Sequence, residues 1–253
     1  HLYLKANITR GFRAPSVPEI SSNGEHAGTF RYEIGNINQQ SETSLQTDVG
    51  ITYERPQFFA DVTLFNNRID QYTYSEKVNT ASGADSLING VPVFRYTQGN
   101  ANLQGLEASL TINPAAARWL ELSSQYSVVL AENLSARTPD ERYLPFMPAA
   151  RTITRLKLSK ASWGSRIQNA SWFVEWEHHA DQDRFLAAFN TETRTPGYSL
   201  INSGLALDVL NTSRKTLFSL YVTAKASDLS QQAHSPDGAV GVAHQIGKPQ
   251  VMG

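Results

Sequence analysis

The chain contains no cysteine. That excludes a disulfide framework and any thiolate metal site, and it suits a protein that must pass through an oxidising compartment without mispairing. Also absent is any run approaching the roughly 20 apolar residues of a membrane-spanning helix, and mean hydropathy is −0.36. A helical membrane protein is therefore excluded. A barrel that crosses with strands is not, because such strands alternate apolar and polar residues and look half hydrophilic. Excess charge is missing too: 22 Lys and Arg stand against 23 Asp and Glu, a net charge of −1. This gives no reason to expect a nucleic-acid partner. No G-x-S-x-G elbow, phosphate-binding loop or G-x-G-x-x-G occurs, so neither an ordered nucleophilic triad nor a bound cofactor is indicated, and no enzyme is expected. A secretory leader is also lacking; the pattern at His1 is already that of a strand, and the chain reads as a fragment or a mature piece.

What is present is alternation with period two, the primary strand signal. In residues 43–54, Leu45, Thr47, Val49, Ile51 and Tyr53 fall on one face and Gln46, Asp48, Gly50, Thr52 and Glu54 on the other. The same pattern runs through residues 1–9, 58–69, 93–113, 118–130, 149–159, 167–179, 198–210 and 215–224, about nine strands in all. Most are about ten to thirteen residues long, against the roughly 5–6 usual in soluble sheets and the 9–11 needed to cross a bilayer. The connections alternate long and short: residues 11–42, 70–92, 131–147 and 180–197 are long, and turns such as Arg55-Pro56-Gln57 are short. Long loops on one side and short turns on the other are the habit of outer-membrane barrels, and loops of this length are uncommon in compact domains. Aromatics near strand ends, among them Tyr53, Phe58, Trp119, Trp163, Trp172 and Trp176, fit interfacial girdles. The expected fold is all-β: an open, antiparallel, curved meander with sequence neighbours paired, Leu106, Ala108, Leu110, Leu120, Leu122, Val128, Trp172, Val174, Leu205, Leu207, Leu220 and Val222 on the lipid side, and Glu107, Ser109, Glu121, Gln125, Glu175, Glu177 and Asp208 on the other.

Four stretches carry a family resemblance. Arg10 to Ile20 reads R-G-F-R-A-P-S-V-P-E-I, a stiff corner whose two prolines disfavour a helix. Glu42 opens a strand ending G-I-T-Y at Tyr53. Tyr96 to Glu107 reads Y-T-Q-G-N-A-N-L-Q-G-L-E, and Leu144 to Arg151 reads L-P-F-M-P-A-A-R. In this order they resemble the barrels of TonB-dependent outer-membrane receptors. The resemblance spans roughly Leu2 to Val222. It implies part of a 22-stranded barrel, with residues 1–224 as barrel and 225–253 as an irregular tail. Asp228 stands where the family has the Asp of its N-L-F-D-x-x-Y closing motif; the closing strand itself is missing. In the full-length protein it implies a plug domain and the TonB complex as partners, contact with outer-membrane lipid of a Gram-negative bacterium, and energy-coupled uptake of a small chelate or nutrient, by default an iron–siderophore. A non-transporting barrel or adhesin that only binds through its loops is the alternative, and an esterase barrel a third possibility disfavoured by the missing catalytic pattern.

The candidate binding residues lie in the long connections. Glu25, His26, Arg13, Tyr72 and Tyr74 are candidates for touching ligand. His178-His179-Ala180-Asp181-Gln182-Asp183 offers two imidazoles and two carboxylates that could ligate a divalent metal. Adjacent histidines in a strand point to opposite faces, so joint ligation would require the strand to end before them.

Overall fold

The computed structural model describes residues 1–26 and 28–227. Its elements are β1 (Leu2–Arg13), α1 (Val17–Ser21), β2 (Asn23–His26), β3 (Arg31–Ile34), β4 (Glu42–Arg55), β5 (Phe58–Lys77), β6 (Leu87–Ile88) and β7 (Val91–Ile112), then β8 (Leu120–Asn133), β9 (Arg151–Trp163), β10 (Ile167–His179), β11 (Tyr198–Leu210) and β12 (Thr216–Ser227). Nine of the strands form one path in the order β1-β4-β5-β7-β8-β9-β10-β11-β12, each antiparallel to its neighbours. Among the described residues β1 and β12 each have one partner along this path, so the sheet is open.

The register fixes which side chains share a face, because alternate residues project oppositely. One row reads Ala6, Val49, Leu64, Leu106 and Val128 straight across five strands. Another reads Leu158, Trp172, Leu205 and Val222. All twelve residues expected on the lipid side fall on this apolar face, and the seven expected opposite fall on the other. Among the described residues no second layer covers the apolar face: Leu4 is 80% exposed, Leu64 53% and Val222 53%. Large exposed apolar bands do not persist on soluble monomers, and a soluble sheet would hide this face in a core.

Packed apolar groups occur instead under the long connections. Ala101, Ala131 and Leu144 form one small cluster, with Ile69, Tyr72, Leu103 and Met147 against it. Phe94, Leu186 and Phe189 form another, with Ala188 against it.

Four features depart from the sequence reading. First, β1 continues through Arg10-Gly11-Phe12-Arg13 and the corner contains a one-turn helix, α1. The prolines permit it because Pro18 sits in the first turn, where a missing N–H costs nothing, and the Glu19 carboxylate accepts the Ser16 N–H. Second, β5 runs to 20 residues, past the end expected at residue 69, and it rises alongside β7 past a bulge between Ile69 and Tyr72. Third, three minor strands lie in the loops, and β3 pairs with β7 in parallel, against the expectation of antiparallel pairs alone. It can do so because the long β1–β4 connection lets the chain turn back before pairing. Fourth, the boundary expected at 224/225 falls within β12, which runs to Ser227. Asp228 and the rest of the tail lie outside the described residues.

Candidate functional site

The long connections gather at one end of the sheet, and specific side chains hold them there. Arg13 closes β1. Its Nε donates to Glu42 Oε2 at 2.9 Å, and Nη1 donates to both Glu19 oxygens at 3.0 Å. Glu42 in turn accepts the Thr73 N–H at 2.7 Å. One guanidinium thus ties the start of β4 to α1, and through Glu42 to β5. Burial opposes ionisation of Glu42 and Glu19, but the hydrogen bonds from Arg13, with the Thr73 and Ser16 N–H groups, outweigh it and hold both carboxyls below their ordinary range.

The Tyr96–Glu107 stretch works as a second lock. Gln98 Nε2 donates to the carbonyls of Gln40 and Gln71, at 2.7 and 3.0 Å, while its Oε1 accepts the Gln40 N–H. A Cβ on Gly99 would lie 2.9 Å from Ser135 Cβ, too close for any other residue without movement. Ala101 is fully buried in its cluster. At Gly105 a Cβ would lie 2.5 Å from the Phe65 ring, which lies across the glycine. Each small residue of the motif is thereby accounted for by a close approach.

A third set of contacts joins the β8–β9 and β10–β11 connections. Glu192 accepts the N–H groups of Phe146, at 2.5 Å, and of Leu186, at 3.0 Å. Ala188 N–H donates to the Asp140 carbonyl at 3.1 Å. Leu186 and Phe189 then insert beside Phe94 of β7, whose ring also carries the Arg31 guanidinium at 4.4 Å. Tyr96 donates to Glu33 at 3.1 Å, and burial followed by the Glu33 charge pushes its hydroxyl up to about 12.

The expected binding residues are placed separately. Arg13 is committed to Glu19 and Glu42. Tyr72 and Tyr74 stack at 6.4 Å, and burial raises both phenols. Glu25 accepts from Asn89 at 2.8 Å, and His26 Nδ1 lies 3.1 Å from Thr29 Oγ1. β10 runs through both histidines, which face opposite ways. His178 stacks on Trp176 and lies 3.0 Å from Ser199 Oγ; His179 stacks on Tyr198 and lies 2.9 Å from Glu177. Asp181 and Asp183 both bind Arg194, and the Gly197 N–H, with Arg194 behind it, holds the Asp181 carboxyl below its ordinary range. Among the described residues, no three His, Asp or Glu side chains come together as a metal site. Sequence reading missed Gln98, Glu192 and Arg194, since partners 27 to 58 residues away leave no local trace for Gln98.

Below this rim the polar face forms a wall. Arg155 Nε donates to Glu175 at 2.8 Å, Arg151 Nε to Glu177 at 2.9 Å, and Lys5 reaches Asp61 at 3.1 Å. An open groove of about 310 Å³ lies along it, lined by Asp61, Glu107, Ser109, Gln125 and Arg151.

The model of the "TonB dependent receptor-like, beta-barrel" family matches residues 1–224. The chain belongs to the TonB-dependent receptor family. It is 23% identical over 221 residues to the iron-regulated outer membrane virulence protein of Vibrio cholerae serotype O1, covering 83% of this chain and 31% of that one. The chain thus spans about a third of the length of the curated relatives it matches. The fold is shared with the copper transporter OprC (TM-score 0.62, 15% identity, 81% of this chain and 29% of that one). It is shared also with a variant of the ferric enterobactin receptor PfeA from Pseudomonas aeruginosa (TM-score 0.59, 20% identity, 90% and 32%) and with the siderophore receptor PirA from Acinetobacter baumannii (TM-score 0.54, 13% identity, 82% and 32%). The receptor is accordingly an outer-membrane barrel segment and not an enzyme.

Proposed function

We propose that this segment forms the binding rim and lumen wall of a receptor that takes up a scarce metal chelate, an iron–siderophore by default, at the expense of energy delivered by the TonB complex to a plug domain. The observation that carries the reading is the rim itself. Long connections that would otherwise be mobile are tied to the strands by Arg13, Gln98 and Glu192, so they present a preformed surface above a polar groove. A preformed surface lowers the ordering cost of capture. The names of the relatives support iron chelates, and that of OprC keeps copper within the chelate class. Arg95 and Arg184, both exposed and without an ion pair among the described residues, offer cations to an anionic chelate.

The test uses the complete receptor in cells starved of iron. Uptake of radiolabelled ferric catecholate, ferric hydroxamate and copper is measured with and without the receptor gene, and again in cells lacking the TonB complex. Receptor-dependent uptake that vanishes without the TonB complex is expected. Surface binding that persists, with no uptake under either condition, would instead favour a non-transporting barrel or adhesin.

A further inference from the structure

The apolar face is not uniform along its height, and the change is abrupt on one side of the sheet. The row Ala6, Val49, Leu64, Leu106, Val128 is wholly apolar. One step toward the long connections, the row is Ile8, Thr47, Asn66, Gln104, Leu130. One step further it is Arg10, Leu45, Arg68, Asn102, Glu132. Two arginines therefore face outward, where lipid is, flanking a leucine that is 51% exposed. An outward charge is costly at the bilayer midplane and nearly free near the interfaces, so these residues belong at the headgroups. Their height agrees. Arg68 lies ten residues along β5 from Phe58 at the short turn, about 33 Å of strand and roughly 25 Å of depth after the usual tilt, the height of an outer-membrane apolar band.

We propose that Arg10 and Arg68 form a site for the phosphate of an anionic lipid headgroup in the leaflet on the long-connection side. They sit two strands apart, so their Cα atoms are about 10 Å from each other, and two extended side chains can converge on one phosphate between them. Guanidinium suits this, since it offers paired donors to phosphate and is weakly hydrated. Arg10 has no ion-pair partner among the described residues. Arg68 has Asp70 at 3.7 Å from Nε, a loose pair that leaves both terminal nitrogens free, and its side chain is 60% exposed. Leu45 between them gives an acyl chain its first contact. The other carboxylate of the row, Glu132, is neutralised by Arg142 at 2.7 Å. Elsewhere along this rim the outward positions are Thr152, Trp176, His178 and Ser199, none a fixed cation, so the site is local to β1 and β5. It rests on the outward face meeting lipid and not on the identity of any transported chelate.

The experiment takes the complete receptor in nanodiscs of zwitterionic phosphatidylcholine doped with either phosphatidylglycerol or bis-phosphorylated lipid A, and counts retained lipid by native mass spectrometry. Each arginine near an anionic surface contributes about fivefold to association. Arg10→Gln with Arg68→Gln is therefore expected to lose both anionic lipids by more than tenfold, while Lys160→Gln, near the short turns, changes retention little. Excess inorganic phosphate should not displace the lipid. Equal retention by the double variant and the parent overturns the proposal, as does full displacement by inorganic phosphate, which would make the site one for the free ion. Should the double variant fail to insert, Arg10→Gln alone carries the same comparison, with a loss of about fivefold expected.

Discussion

Glycine and aromatic residues meet in a repeated way on the polar face. Phe65 lies over Gly105 across the β5–β7 pair, and Phe173 lies over Gly204 across the β10–β11 pair. A Cβ at Gly204 would stand 2.4 Å from the Phe173 ring. This explains why a phenylalanine interrupts an otherwise polar face: it covers backbone that the missing side chain leaves bare, and the Arg155 guanidinium lies over its ring at 4.7 Å from the centre. Gly204→Ala is expected to destabilise the receptor by about 1–3 kcal/mol through overpacking, and a combined Gly204→Ala, Phe173→Leu variant should recover part of that loss in thermal unfolding. Equal stability of parent and single variant would show that the ring moves freely. At the same scale, Glu42 and Glu19 have folded pKa values held below their unfolded ones, so they bind protons less readily in the folded state. Their contribution is present above the ordinary 4.5 and is lost as pH falls through the lowered folded values. Glu42→Gln should therefore lower stability at neutral pH by about 1–3 kcal/mol and flatten its decline on acidification, as read by melting temperature against pH.

The strands show what sequence could and could not reveal. Alternation in residues 43–54 or 198–210 is sufficient to assign strand, face and lipid exposure, because a bilayer demands apolar residues at every second position over its full depth. It fails above the membrane. Residues 70–77 and 91–92 are strand too, but there both faces meet protein or water, so no alternation marks them. Helix α1 was hidden for a related reason, since its prolines signal a break unless one knows they fall in the first turn. The rim's locks are between side chains far apart in sequence: Arg13, Glu19, Glu42 and Gln98 lie in the family-like stretches, but nothing local shows that they bind one another or distant loops, and Glu192 lies in no such stretch. Position along a strand also sets the depth of single residues. Leu110 is two residues from the end of β7 at the short turn, whereas Leu64 and Leu106 stand six from the same ends. Leu64→Arg is thus expected to cost about 2–4 kcal/mol and Leu110→Arg distinctly less, measured by reversible unfolding of the complete receptor in lipid. The reverse order would mean that the apolar band is centred nearer the short turns.

For the whole molecule the decisive feature is the pair of edges. Along β1 every second backbone N–H and C=O points away from β4, and β12 presents the same on the far side of β11. Hydrocarbon offers no partner for these groups, each of which costs several kcal/mol if left bare, so a sheet of this kind is admissible in a membrane only when its edges continue into further strands. Leu2, Leu4 and Ile8 of β1 are 61%, 80% and 73% exposed, against 53% for Leu64 within the sheet, as apolar side chains are where a neighbouring strand has yet to be supplied. Amide hydrogen exchange on the complete receptor tests this directly. The amides of β1 that are not bonded to β4 should exchange as slowly as those in the middle of β4, and those on the outer side of β12 as slowly as those of β11. Fast exchange confined to these two sets of amides, with β4 and β11 protected, would mean that β1 and β12 are real edges. The apolar face would then have to be covered by something other than the lipid of a closed barrel.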